Sequence, residues 1–387
     1  MAYLDSGSTQ PLNEAGHTAW ESALRDGWAD PSSRYYEGRK AAALRDDAIE
    51  RIAQAIGIRR DEVSITTSGS AANTAAVTAV SRARRRHGGA IGRSAVEHRS
   101  VMRATASLVA SASDHAGRES SRVEPAPQSY EVQIGVDHFG VLDPDQLTKF
   151  LSTGDAQLLA VQWINQETGT CQDIASVAAA CQRAEVPLIV DAAQGVGRMP
   201  VPQGWDVLTA SAHKWGGPSG IGIVAVRSGT PWRPDQSAAP AFPNIPALVA
   251  AAAALEESVS TARQHGARLR ELTTMIRDRV SKIDGVEVAG HPDQRADHLV
   301  TFSTLYLAGD AITDALAERG FAVASGSACA DDRGQPSHVL AAMGVLTQGN
   351  VRIGLTAATT QQDIEAFLAA LVDVIDHLRQ DAGVADL

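Results

Sequence analysis

Between about residue 45 and residue 227, short apolar runs alternate with stretches whose apolar positions recur at helical spacing. The segments 62–67 (EVSITT), 158–163 (LLAVQW), 187–191 (PLIVD), 206–210 (DVLTA) and 221–226 (IGIVAV) predict buried strands. Between them, 71–85 and 173–184 carry Ala-rich helical patterns. This alternation predicts an α/β fold with a mostly parallel sheet flanked on both faces by helices. Sheets of this kind place ligand sites at the carboxyl ends of their strands. After Val226 the texture changes. Residues 228–246 hold prolines at 231, 234, 240, 243 and 246 and no periodicity, which predicts a crossing segment. A long helix over 245–283, broken around His265-Gly266, comes next. From Val286 the expected order is strand, strand, helix (310–319), strand (321–324), loop, helix (337–343), strand (351–355), helix (361–378). Such a mixture fits a smaller α+β domain, so the expected division is a large domain over 15–245 and a small one made of 1–14 and 246–387.

Composition narrows the class. The 387 residues are 44% apolar and 20% charged, an ordinary globular balance that excludes long intrinsic disorder. With aromatics at only 4%, Ala, Val, Ile and Leu must build the core. The longest apolar run, 245–255, is about half the roughly 20 residues of a membrane span, so no membrane partner is expected. The N-terminal residues Met1-Ala2-Tyr3-Leu4-Asp5 carry neither a basic nor an apolar leader pattern, which leads us to expect a cytoplasmic protein. Thirty-four Lys and Arg against 45 Asp and Glu give a net charge of −11, and no direct nucleic-acid contact is expected. The basic cluster 82–86 (RARRR) reads as a solvated helix end rather than a binding patch. Three cysteines, Cys171, Cys181 and Cys329, cannot make a disulfide framework, and the odd count invites one reactive thiol.

The most informative segment is 206–222 (DVLTASAHKWGGPSGIG). A strand ends in small residues, presents Ser211-Ala212-His213-Lys214, and leaves through a turn containing Gly216, Gly217, Gly220 and Gly222. Glycines let the backbone pass close to a ligand, and a lysine so placed can form a Schiff base with an aldehyde. The alternative is an ordinary exposed lysine in a turn. Upstream, Asp191 closes the buried run 187–191. A buried carboxylate needs a partner; a protonated pyridine nitrogen supplies one, and Gln194 can donate to a ring hydroxyl. Here the alternative is an Asp capping the following helix. A strand-end Asp with a strand-end Lys 23 residues later suggests pyridoxal phosphate, and no metal is required. Ser68-Gly69-Ser70, entering a helix, can hold the cofactor phosphate or be a plain cap. Ser211 can add a further hydroxyl to that phosphate. His98 lies just past a possible strand, either structural or placed to stack on the ring and shuttle protons. Residues 325–338 form a small-residue loop carrying Cys329, a candidate nucleophile that Asp331 and Asp332 would not help to ionise.

Taken together, these residues resemble the cysteine desulfurase family, the class V branch of the fold-type I pyridoxal-phosphate enzymes. The resemblance runs from Tyr3-Leu4-Asp5 to Val351-Arg352-Ile353-Gly354-Leu355. It is most specific at Ser211–Lys214 with its Gly-rich exit, at Asp191-Ala192-Ala193-Gln194, and at Ser325-Gly326-Ser327-Ala328-Cys329 followed by Pro336-Ser337-His338-Val339-Leu340. The last is similar to the subgroup with a long cysteine loop. The resemblance implies Lys214 as the Schiff-base lysine, Asp191 as the pyridinium partner and Gln194 at the ring oxygen. It further implies His98 on the ring, Ser211 and His213 at the phosphate, Cys329 as persulfide carrier in the small domain, and Arg352 clamping the carboxylate of L-cysteine. It implies a homodimer that produces L-alanine and passes sulfur to an acceptor protein. His98 is the candidate for taking the thiol proton of Cys329.

Several positions depart from the family. Its Asn-Asn-Glu reads Asn165-Gln166-Glu167 here, putting Gln166 where the Asn near the cofactor oxygen is expected and leaving Asn165 toward the substrate. The phosphate loop lacks its second Thr, so Ser68 or Ser70 must compensate. The family's Ala-Thr-Thr reads Gly7-Ser8-Thr9-Gln10, and its Gly-Gly-Gly stretch with the inter-subunit Gly-Thr has no counterpart between Ser228 and Pro246. These departures mark a divergent member. Iron–sulfur assembly, tRNA thiolation, DNA phosphorothioation and natural-product thiolation are all open as destinations for the sulfur. The rival readings are a C–S lyase, selenocysteine lyase or epimerase on the same cofactor, and a non-catalytic partner-binding relic. Cys329 separates the first group from a desulfurase.

Overall fold

The computed structural model describes residues 1–86, 89–115, 128–235, 243–325 and 336–384. In chain order, the first elements are β1 (Ala2–Tyr3), α1 (Glu14–Ala23), α2 (Tyr36–Ile56), β2 (Val63–Thr66), α3 (Gly69–Arg84), β3 (Ala90–Ser94) and α4 (Arg99–His115). Then follow β4 (Tyr130–Ile134), α5 (Pro144–Leu151), β5 (Ala156–Gln162), α6 (Ile174–Arg183), β6 (Leu188–Asp191), β7 (Val207–Ser211) and β8 (Gly222–Val226). The remainder is α7 (Ile245–Val280), β9 (Val286–Ala289), β10 (Leu299–Thr304), α8 (Gly309–Glu318), β11 (Phe321–Ala322), α9 (His338–Met343), β12 (Asn350–Gly354) and α10 (Gln361–Asp381).

Seven strands form one sheet in the order β2-β8-β7-β6-β5-β3-β4. All neighbours are parallel except β8, which runs antiparallel to both β2 and β7. The mostly parallel α/β sheet expected from the alternation is therefore present. Its central strands β5 to β8 are mostly apolar because both faces are covered. Along β5, Leu159 and Val161 join one core cluster while Leu158 and Ala160 join the cluster on the other face. β6 splits the same way, with Leu188 and Val190 on one side and Ile189 on the other. Period-two alternation thus sends Asp191 to the Ile189 face, the one that α3 covers.

A second, antiparallel sheet has the order β12-β10-β9, and β1 pairs in parallel with β11. A separate core lies here, where Phe302, Ile353, Phe367 and Leu371 meet Leu4 from the N-terminal segment. The helix α7 serves both cores. Ala247, Leu248, Ala251 and Leu255 pack in the large cluster, and Leu269, Leu272, Ile276 and Val280 in the small one. The boundary expected at 245/246 thus falls at the start of a helix that the two cores share.

The break expected at His265-Gly266 is absent: α7 runs unbroken for 36 residues. A glycine in a helix interior costs about 1 kcal/mol, and a Cβ at Gly266 would lie 2.9 Å from Asp297 Oδ2. A side chain there would displace only the end of the Asp297 side chain, and anchorage of the helix in both cores offsets the cost of the glycine. By length and composition α7 is apolar enough to cross a membrane; its Ala-rich half is instead buried in the large core. Elements α1, α2 and β4 were not anticipated. The helices are dominated by Ala and charged residues, and β4 (YEVQI) is largely polar.

Candidate active site

The carboxyl ends of β2, β3, β5, β6 and β7 converge on a cavity of about 270 Å³. Asp191, the last residue of β6, is nearly buried, and each of its oxygens has a partner. Oδ1 accepts the backbone N–H of Ala193 at 3.0 Å, the turn that ends the strand, and Oδ2 accepts Asn73 Nδ2 at 2.7 Å. Asn73, on α3, also donates to Ser100 Oγ at 2.9 Å and accepts from Thr209 Oγ1 at 2.5 Å. Ser100 Oγ lies 2.7 Å from His98 Nδ1, and the Ser100 backbone N–H donates to the same nitrogen at 3.2 Å. Burial, together with Lys214, Arg99 and Arg103, outweighs Asp191 and keeps the His98 imidazole below its usual value. Next to it, Glu97 is fully buried with Oε1 on the Gln162 N–H at 2.8 Å and Oε2 unpartnered. Burial, aided by nearby Asp191, drives its carboxyl well up against the pull of the Gln162 N–H.

Lys214 ends the single 3-10 turn that follows β7, and Gly216, with φ +83°, redirects the chain beyond it. The ammonium donates to the carbonyl of Gly7. Burial lowers the lysine from 10.5 to about 7, and the nearby cations Arg352 and Arg198 push the same way, against Asp5 and Asp191. A neutral amine is therefore available at ordinary pH. Gln194 donates to the same Gly7 carbonyl at 2.8 Å, and its Oε1 lies 3.2 Å from His298 Nε2.

At the other end of the cavity, Ser68 caps α3 by accepting the Ala71 N–H at 3.1 Å, and Gly69 and Ser70 open its first turn. Ser211 Oγ accepts the Gly69 N–H at 3.3 Å and lies 2.9 Å from His213 Nδ1. Burial and Lys214 hold His213 down to about 4, so it is neutral. Glycines let this corner close. A Cβ at Gly69 would lie 2.9 Å from that of Ser211, and one at Gly222 would fall 2.3 Å from the Ser68 carbonyl. Backbone N–H groups at the start of a 16-residue helix beside two hydroxyls make an anion cradle.

The second sheet supplies the remaining wall. From β12, Arg352 Nη2 reaches Asp5 Oδ1 at 2.8 Å and Ser8 Oγ at 2.6 Å, while Nη1 donates to the Gln166 carbonyl at 3.1 Å. Its Nε and the Gln166 Oε1 are buried without a partner among the described residues. Glu167, raised by burial, accepts Ser337 Oγ at 2.5 Å, and His338 Nε2 lies 3.0 Å from the Glu97 carbonyl.

The cavity thus brings together Ser68, Gly69, Ser70, His98, Gln166, Asp191, Gln194, Ser211, His213, Lys214 and Arg352. Asn165 does not line it. This buried side chain instead holds the turn after β5, accepting the N–H groups of Glu167 and Thr168 at 2.9 Å and donating to Val96. The substrate contact expected of Asn165 is thereby replaced by an architectural one. Cys329, within 326–335, lies outside the described residues. Cys171 and Cys181 are buried, and burial pushes both thiols up to about 12. Asn73, Ser100 and Glu97 are not among the residues the sequence points to, and Ser8 and Ser337 stand there only within motifs, without a role. Only Asn73 gave a local signal, an amide among alanines in a helix where Asn is unfavourable.

The sequence pattern of the aminotransferase class-V family matches residues 2–367. A cysteine desulfurase IscS from Dictyoglomus turgidum is 31% identical over 97% of this chain and 95% of its own length. An IscS-like cysteine desulfurase from Mycobacterium tuberculosis is 30% identical, covering 100% of this chain and 99% of the relative. Among solved structures, a NifS-like protein shares the fold with a TM-score of 0.85 at 23% identity, over 97% of this chain and 100% of that one. The chain belongs to the aminotransferase class-V family, and within it to the cysteine desulfurase group.

Proposed function

We propose that this chain is a pyridoxal-phosphate-dependent enzyme that converts L-cysteine to L-alanine and leaves the sulfur as a persulfide on Cys329, for delivery to an acceptor protein. One observation carries the reading: a strand-end carboxylate, a lysine held near neutrality and a helix-start anion cradle line a single cavity. That donor set fits the cofactor. The Gly69 and Gly222 cradle suits its phosphate, Ser211 and His213 flank that cradle, Asp191 suits a ring N–H, and Lys214 suits the aldehyde. When bound, pyridoxal phosphate supplies an electron-accepting ring conjugated to the substrate amine.

The chain's own groups then have separate tasks. Asp191, fixed by Ala193 and Asn73, would pair with a protonated ring nitrogen of the cofactor. Lys214 Nζ, neutral near pH 7, takes the Cα proton of the substrate. Arg352, already aimed by Asp5 and Ser8, binds the substrate carboxylate, which gives its unpartnered Nε an acceptor. The Cys329 thiolate attacks the substrate sulfur. An S–S bond forms, the Cβ–S bond breaks, and the thiol proton of Cys329 is returned in the products, so that L-cysteine plus a protein thiol gives L-alanine plus a protein persulfide.

The test is mass spectrometry after incubation with L-cysteine. The Cys329 peptide should gain one sulfur, and the Cys171 and Cys181 peptides none. Cys329→Ser should bind L-cysteine yet accumulate no persulfide. Sulfur on either buried cysteine, or undiminished sulfur transfer by Cys329→Ser, overturns the assignment in favour of a C–S lyase.

A further inference from the structure

The side chain of Asn73 has each of its polar hydrogens and its oxygen assigned by its neighbours. A carboxylate can only accept, so the atom 2.7 Å from Asp191 Oδ2 is the amide nitrogen, and the oxygen faces Thr209 Oγ1. One Nδ2 hydrogen goes to Asp191 and the other to Ser100 Oγ. Having received that hydrogen, the Ser100 hydroxyl keeps its own to donate, and His98 Nδ1 lies 2.7 Å away. The Ser100 backbone N–H, which cannot accept, points at the same nitrogen from 3.2 Å. Two donors therefore converge on Nδ1, and a neutral imidazole in that position must carry its proton on Nε2.

We propose that Asn73 and Ser100 are positioning residues that lock His98 as the Nε2–H tautomer, through the same amide that holds Asp191. The relay's geometry stands by itself; its bearing on catalysis rests on the function proposed above. The charged groups acting on His98 are Asp191, Lys214, Arg99 and Arg103, and burial keeps the ring neutral among them. In this tautomer His98 offers a hydrogen-bond donor from Nε2 and has no free basic nitrogen. It therefore does not take the thiol proton expected of it from the sequence. The coupling also makes one amide responsible for both contacts. Loss of Asn73 loosens Asp191 and lets the Ser100 hydroxyl turn away from His98.

The test is a long-range proton–nitrogen correlation spectrum of the full chain labelled with 15N-histidine, recorded with and without pyridoxal phosphate, with His98→Gln identifying the ring. In both states Nδ1 should be pyridine-type and hydrogen-bonded, and Nε2 pyrrole-type. Ser100→Ala should move the Nδ1 signal toward that of an unbonded pyridine nitrogen, Asn73→Ala should move it less in the same direction, and Ser100→Thr should restore it. A pyrrole-type Nδ1 in the unaltered protein overturns the proposal whether or not any variant folds. An Nδ1 signal indifferent to Asn73→Ala and Ser100→Ala removes the relay. Failure of the desulfurase reading would show separately, as absence of persulfide with these ring signals unchanged.

Discussion

On the α3 side of the cavity, Asp191 and Asn73 have partners at both ends of their polar groups, and Thr209, Ser100 and His98 extend the same network. On the side built from the N-terminal segment and β12, Arg352 Nε and Gln166 Oε1 are buried without partners among the described residues, and the Arg352 charge lies close enough to disfavour the ammonium form of Lys214. A satisfied network holds its groups in one arrangement before anything binds, which suits a permanently held ring. An unsatisfied, positive wall is costly until an anion arrives. On the proposed function that cost falls in the free enzyme and the substrate carboxylate would relieve it, so the second wall suits an anion that comes and goes.

The sharpest way to break this contrast is at Lys214, which borders both walls. Lys214→Ala should abolish both L-alanine release and the visible absorption of the lysine-bound cofactor, since Lys214 is the one lysine among the cavity-lining residues described. Turnover at the unaltered rate would remove the cofactor reading. Asp191→Asn tests the satisfied wall. Its shape is kept while its charge is lost, so kcat should fall by on the order of 10²–10³, the range for removing one preorganised electrostatic group. A change of only a few-fold would make Asp191 a turn cap. For the opposite wall, Arg352→Ala should raise KM for L-cysteine by about tenfold to a hundredfold, as expected from losing a charge-assisted hydrogen bond. An unchanged KM with reduced kcat would move Arg352 into the chemistry.

The smallest effect concerns stability. The unfolded chain keeps the lysine proton up to about 10.5, whereas the folded cofactor-free protein releases it near 7. Between those values the unfolded state binds more protons, so the contribution of Lys214 to stability rises with pH. Below pH 7 the buried charge is penalised in full. Lys214→Met should therefore be more stable than the unaltered protein at pH 6, with the melting-temperature gap narrowing toward pH 10. A gap independent of pH would mean that Lys214 is not depressed.

The satisfied wall was only half legible in the sequence. Strands β5 to β8 stood out because both faces of the sheet are buried, which makes each strand a continuous apolar run, and Asp191 and Lys214 were conspicuous as polar interruptions at their ends. Ser100 gave no such contrast, and the amide of Asn73 among alanines gave no hint of its partner. Asn73 lies 118 residues from Asp191, and no local spacing marks a partner brought in by a separate element. The role of Arg352 came from family resemblance alone, since its anchor Asp5 is 347 residues away. Asn165 misled for a related reason: an amide beside a strand end has the same sequence signature whether it faces a ligand or ties its own turn.

The N-terminal segment has a consequence for how the molecule assembles. Ser6 and Asp5 bind Leu355 and Arg352 of the last strand, and Gly7 receives both Lys214 and Gln194. Each of these contacts closes a loop of 187 residues or more, so forming them early has a large entropic penalty. During synthesis the Gly7 contacts can form only after about 187 further residues, and the Asp5–Arg352 contact only after 347. The cores on the two faces of the large sheet can gather beforehand, because their residues all precede β12, whereas the smaller core waits for β12 and Leu4. Completion of the catalytic cavity then becomes a late folding event, and a chain stalled before β12 would have its large sheet yet lack the Asp5–Arg352 clasp.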